Sequence, residues 1–237
     1  APMPAAGGET VTNPAATGGT ASFGSITYDA PGEYTYIITE SGSVAGVTND
    51  AAASSGKTVT VTVSDDGHGH LSATIKGADS ATGSSTTFTN TYGATPAKAS
   101  IPVKKVLNAA SGLTPPDITG AYTFTLVGVT ANAPMPEQTT LTNPASNGGT
   151  VTFGEISFDR IGTYTYTVSE DGKVDGVTND SSGPKTVTVT VTDDGKGKLS
   201  ASVSVSADNP LTFTNTYNVT STTAVILVTK VLSVPEG

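Results

Sequence analysis

The sequence predicts an all-β protein built as tandem, Ig-like antiparallel β-sandwiches. Three observations carry this. Runs such as "KTVTVTVTD" alternate apolar and polar residues with period two, no segment shows a period of 3.6, and turn residues separate the runs at close spacing. Taken in order, the strand signals of one copy are "IPVKKVL" (101–107), "AYTFTLVGV" (121–129), "TYTYTVSE" (163–170), "KTVTVTVTD" (185–193), "KLSASVSVS" (198–206) and "LTFTNTY" (211–217). "VTDDGKGKLS" reads as a hairpin with an Asp-Gly turn. Seven or eight short strands in this arrangement suit a sandwich.

The chain also repeats. "APMP" occurs at Ala1 and Ala133, "GVTND" at Gly46 and Gly176, and "FTNTY" at Phe88 and Phe213. Asn90 and Asn215 lie 125 residues apart, as do Lys105 and Lys230 in "VKKVL" and "VTKVL". That period is too long for a solenoid, so each copy is expected to be a domain of its own. The expected division is a repeat lacking its N-terminal strands (1–97), a complete repeat (98–219) and the first strand of a following one (220–237). The polypeptide reads as an excised piece of something longer.

Composition narrows the function. A net charge of −9 without any basic stripe argues against nucleic acid. The chain has no cysteine, hence no disulfide or thiolate metal site. The longest apolar run, residues 224–228, is too short for membrane insertion.

Alternation places Ile101, Val103, Lys105 and Leu107 on one strand face. It groups Tyr164, Tyr166, Val168 and Glu170 on a second, and Phe213, Asn215 and Tyr217 on a third. Each apolar face thus carries one polar residue: Lys105, Glu170 or Asn215. The first copy shows Glu40 after Tyr34, Tyr36 and Ile38, and Asn90 between Phe88 and Tyr92. The last segment supplies Lys230 among Ile226, Val228 and Leu232.

A buried charge costs several kcal/mol unless it is paired. Three complementary intruders in one core point to a shared chemistry. A neutral lysine amine can attack the asparagine side-chain carbonyl and expel ammonia, leaving an isopeptide bond. An apolar pocket favours the neutral forms of an amine and a carboxylic acid alike. The glutamic acid is then expected to polarise the carbonyl and move protons. Folding sets the reactants in contact, an advantage of roughly 7–11 kcal/mol. No cofactor is needed, and the product is the protein itself, so the chain is not read as a turnover enzyme.

The set "VKKVL", "YTYTVSED" and "FTNTY" resembles the isopeptide-linkage domains of Gram-positive pilins and surface adhesins, CnaB-like sandwiches of the pilin type. The resemblance implies a Lys105–Asn215 bond catalysed by Glu170, within an extended stalk on a bacterial cell surface, attached to the cell wall in the parent protein. Its partners are then adjacent repeats of the same protein. The first copy has Glu40 and Asn90 but no inward lysine. Either an upstream strand of the parent supplies the amine, or Lys230 of a neighbouring copy inserts by strand donation.

Other readings are simpler. The trio can be a buried ion pair with a hydrogen-bonded amide. A ligand-binding adhesin module for host glycan or matrix protein is a further alternative, although no aromatic cluster supports it. A hydrolase would need two acids facing one cleft, and each copy offers one. His68 and His70 in "DDGHGH" align with lysines in "DDGKGK", so they read as a solvated turn and no metal site is expected.

Overall fold

The computed structural model describes residues 1–15, 18–78, 85–145 and 147–235. Among these there are strands and turns only, and no helix is long and apolar enough to cross a membrane. The chain forms two compact units, one of Ala1–Gly93 and Gly195–Gly197, the other of Ala94–Asp194 and Lys198–Gly237.

The first unit contains β1 (Gly32–Ile38), β2 (Val47–Thr48), β3 (Lys57–Asp65), β4 (Leu71–Lys76) and β5 (Thr91–Tyr92). They form an antiparallel sheet in the order β1-β3-β4 and a small pair β2-β5. The second unit contains β6 (Ala97–Ala109), β7 (Tyr122–Gly128), β8 (Thr140–Thr142), β9 (Thr150–Phe158), β10 (Gly162–Gly172), β11 (Val177–Thr178), β12 (Lys185–Asp193), β13 (Leu199–Val203) and β14 (Leu211–Tyr217). A five-stranded sheet, β13-β12-β10-β7-β8, faces a four-stranded sheet, β11-β14-β6-β9. This is the Ig-like sandwich that the strand pattern predicts.

Alternation explains the packing. On β12, Val187, Val189 and Val191 point inward and are almost wholly buried, while β-branched threonines intervene. Phe124, Phe153, Phe158 and Phe213 fill the space between the sheets. Phe124 and Phe213 stack obliquely across it, with centroids 5.4 Å apart.

Two features depart from the sequence reading. The closing pair of the sandwich, β6 with β14, is parallel, with Phe213 opposite Lys105 and Asn215 opposite Leu107. A parallel pair needs a long crossover, and here the crossover is all the chain between the first and last strands. The β12–β13 turn is also wider than an Asp-Gly hairpin. The ladder ends at Asp193–Leu199; across the loop the Asp194 N–H donates to the Lys198 carbonyl at 3.2 Å, and the Lys198 N–H donates to the Asp194 carboxylate at 3.1 Å.

The first unit shows what happens without the counterparts of β6 and β7. In the second unit β8 pairs only with β7, and β9 only with β6. Residues 10–15 ("TVTNPA") match 140–145, and "GGTASFGSITYD" (18–29) matches 148–159, yet no strand forms among the described residues there. A strand is defined by its ladder, and the ladder partners are absent. The repeated "APMP" keeps its role nonetheless. Tyr166 donates its hydroxyl to the Pro134 carbonyl at 2.8 Å, and Tyr36 donates to that of Pro2 at 2.8 Å.

Asn143 illustrates the difference. It is buried, donates to the Ile118 and Ala145 carbonyls, and accepts from the Tyr122 backbone N–H at 2.8 Å. Its counterpart Asn13 is exposed and donates to the Ala15 carbonyl at 3.3 Å. Asn143→Ala orphans several buried groups and should destabilise the second unit by about 1–3 kcal/mol. Asn13→Ala should cost less than about 0.5 kcal/mol. Urea titration of the full chain, followed at backbone amides of each unit by NMR, measures both.

Candidate functional site

Lys105 lies on β6, a central strand of its sheet, and Glu170 on β10, the central strand of the facing sheet. Two hydrogen-bonding directions fix the lysine backbone. Its N–H donates to the Gly149 carbonyl, and its carbonyl accepts from Gly148. The side chain, 0% exposed, crosses the sandwich and binds the Glu170 carboxylate, itself 4% exposed. The ammonium also sits over the Tyr122 ring, 4.1 Å from its centroid. Burial pulls the Lys105 pKa below its ordinary value, while Glu170 and, further off, Asp180 pull it upward.

Asn215 is wholly buried on β14, the strand beside β6. Its carboxamide oxygen accepts from the Asp180 backbone N–H at 2.9 Å, and its nitrogen faces the Asn179 side-chain oxygen at 3.5 Å. The sequence reading has Glu170 polarise the asparagine carbonyl; that oxygen also has a backbone N–H donor, from Asp180.

Asp180 is a member of the site that alternation could not reveal, since it lies in a loop. Its carboxylate accepts from the N–H of Thr214, the residue before Asn215, at 2.8 Å. It also accepts from Ser182 N–H at 2.9 Å and from the Lys185 ammonium at 3.0 Å. Burial alone would push the Asp180 carboxyl up, but these hydrogen bonds hold it well below the usual carboxylate range. Lys185, the first residue of β12, thus belongs to a clasp, and its ammonium lies 5.0 Å from the Phe213 ring centroid. The one sequence signal for the clasp is that Asp and Lys recur in both copies, as "TND…GK" and "TND…PK".

The first unit repeats the clasp. Asp50 accepts from Thr89 N–H and Ala52 N–H, each at 2.9 Å, and pairs with Lys57 at 3.2 Å. Asn90 accepts from the Asp50 N–H at 2.9 Å, as Asn215 does from Asp180. Here the acid meets the amide: Asn90 donates through its nitrogen to Glu40 at 2.6 Å. The other Glu40 oxygen is buried and has no hydrogen-bond partner. Phe88, Tyr36 and Ile38 are only partly buried and Asn90 is exposed.

Lys230 joins neither site. Residues 218–235 pair with no strand, and Val225, Ile226, Leu227 and Val228 are between 86% and 89% exposed. Residues 236 and 237 lie outside the described residues. His68 and His70 lie in an exposed turn, both backbone N–H groups donating to Asp66. Among the described residues no cluster of three or more metal-ligating side chains occurs.

The family model for the Spy0128-like isopeptide-containing domain (FctA) matches residues 2–93 and again 101–218. Comparison with curated protein sequences gives no match. Among solved structures, the major pilin protein T3.2 of Streptococcus pyogenes is similar at 19% identity, over 81% of this chain and 69% of that one, with a TM-score of 0.21. The T-13 major pilin of the same species is similar at 16% identity, over 83% and 71%, with a TM-score of 0.23.

The clasp predicts an acid response. Hydrogen bonds from the Thr89 and Ala52 N–H groups, together with Lys57, lower the Asp50 pKa from 3.8 to about 2. A group depressed on folding contributes in full above its unfolded pKa and loses that contribution as pH falls through the folded one. Asp50→Asn should therefore remove the part of the first unit's acid destabilisation that falls between about pH 4 and pH 2. Thermal unfolding of the full chain at stepped pH reads the difference.

Proposed function

The chain belongs to the Spy0128-like isopeptide-containing domain family, a structural family and not an enzyme family, and from that premise we propose that it forms covalently locked stalk repeats of a bacterial surface fibre, of the pilus or large-adhesin kind. The observation that carries this reading is the buried Lys105–Glu170 pair with Asn215 buried on the adjoining strand. In this reading Lys105 and Asn215 fuse with loss of one ammonia, and Glu170 handles the protons. The parent protein is then extracellular and attached to the cell wall.

Topology supports a mechanical role. The unit begins with β6 and ends with β14, and the two run parallel as neighbours. Tension enters at one end of β6 and leaves at the opposite end of β14, so ladder hydrogen bonds alone would bear it in shear. A Lys105–Asn215 bond carries the load past everything between them. It also closes a loop of roughly 110 residues, which restricts the unfolded chain by about 4–5 kcal/mol in a chain-entropy account.

The same reading gives Lys230 a use. The first unit offers an acid with a buried free oxygen, an amide bound to it and a half-open core. The 222–235 segment of a second copy offers an exposed apolar strand with a lysine in the "VTKVL" frame of "VKKVL". Docked beside β5 as β6 docks beside β14, it would bring Lys230 to Asn90. The β7 counterpart would still have to come from elsewhere.

Two outcomes are expected. The intact mass of the purified chain should be one ammonia below the sequence value, and Lys105→Ala and Glu170→Ala should each restore it. Full mass in the parent chain contradicts the locked domain. At high concentration the chain should also form denaturant-resistant ladders with a second ammonia lost per junction, absent from Lys230→Ala. If denaturing gels show monomer only, strand donation is excluded while the internal bond stands.

A further inference from the structure

The two units hold the same acid and amide with and without an amine, and the comparison separates the roles of the groups. In the second unit Glu170 is bound to the Lys105 ammonium. In the first, where no lysine pairs with the acid among the described residues, Glu40 is bound to the Asn90 nitrogen at 2.6 Å. In both, the carboxamide oxygen rests on the backbone N–H of the aspartate, at 2.9 Å each time. An N–H can only donate, so it fixes which way the amide points. The oxygen faces the loop and the nitrogen is left to the acid.

We propose that the Asp180 backbone N–H is the oxyanion donor of the crosslinking step, with the Asp180 carboxylate as the positioning group that aims it. This rests on the isopeptide reading above. Glu170 takes a proton from the lysine nitrogen, and the neutral amine attacks Cγ of Asn215. As the new N–Cγ bond forms, the carbonyl pair moves onto oxygen, where the Asp180 N–H meets the growing charge. Glu170 delivers that proton to the amide nitrogen, the carbonyl re-forms as the Cγ–Nδ2 bond breaks, and ammonia leaves; the carboxylate then takes the second proton from the new amide nitrogen, which leaves a neutral amide and a neutral acid. The second unit shows the acid where the proton is taken, and the first shows it where the proton is given.

The clasp explains why an aspartate stands here. Asp180 gives its N–H to the side chain of Asn215 and takes, through its carboxylate, the N–H of Thr214. These two bonds in opposite directions lock the loop to β14 at the reacting residue. Lys185 and Ser182 hold the same carboxylate, so it is occupied and acts through geometry.

Mass spectrometry of the full chain, sampled from synthesis onward, tests the assignment. The wild type should be linked by the time it is purified. Asp180→Ala should lose ammonia about 10²–10³ times more slowly, the usual effect of losing one oxyanion donor. Asp180→Asn, whose one side-chain oxygen can take the place of the oxygen that accepts from Thr214 but not also of the one that accepts from Ser182, should recover part of the rate. A wild type that keeps its ammonia defeats the underlying reaction. A linked wild type with Asp180→Ala equally fast defeats this inference alone. Should Asp180→Ala fail to fold, amide exchange decides. In Asn215→Ala the residue 180 N–H should exchange about tenfold faster than in the unlinked Glu170→Ala chain, the worth of one hydrogen bond. Equal exchange overturns the proposal.

Discussion

A lysine ammonium shut between two β-sheets and facing one carboxylate is the constraint on which the second unit depends. Lys105 has no exposed surface, and Glu170 almost none. Desolvating both ions costs several kcal/mol each, and their attraction repays this only with good geometry. Tyr122 supplies a ring face to the ammonium, while the surrounding phenylalanines supply no polar compensation. Such a pair is an awkward resting state. Conversion to a neutral amide and a neutral acid would remove the buried charge, so the proposed reaction would relieve the strain that the fold creates. The same pocket that disfavours the ions would then favour their consumption.

The first unit shows the converse. It keeps the acid, the amide and the aspartate clasp, yet it lacks the strands that would enclose them. Its Glu40 turns to the amide with one oxygen and leaves the other buried and unpartnered. Leu71 and Ile75 on β4 are 40% and 49% exposed, whereas Leu199, the counterpart of Leu71, is 4% exposed. The local machinery is thus set by short-range contacts between loop and last strand. The dry environment around the second unit's site is a long-range product of β6 and β7, which carry Lys105 and Phe124 into its core.

Much of this was legible in the sequence because a period of two is a reliable guide to facing. Alternation alone put Lys105, Glu170 and Asn215 inward, and the repeat tied them to Glu40, Asn90 and Lys230. What it missed has physical reasons. Periodicity carries no information on strand direction, so the parallel β6–β14 pair was invisible. Residues 10–15 and 18–29 match strand-forming segments of the second unit, but a strand needs a ladder partner and the match could not supply one. Asp180 and Lys185 act from a loop, where backbone path and not side-chain alternation decides what touches what. Tyr122 is distinguished from other inward aromatics only by the ammonium that happens to lie over it.

The exposed segment at the end of the chain completes the logic. Four consecutive residues, Val225 to Val228, stand almost fully in solvent, and such a stretch is a hazard for indiscriminate sheet pairing. Lys230 tempers that hazard. In water its ammonium is charged and hydrated, which opposes burial in any apolar groove that lacks a carboxylate. A groove with an acid in place removes this objection, and the first unit holds one with a free oxygen. In the proposed docking the lysine would discriminate before it reacts: its charge would penalise an apolar groove without an acid, and beside a buried glutamate it would serve as the nucleophile. Selectivity in docking and competence in chemistry would then rest on one side chain.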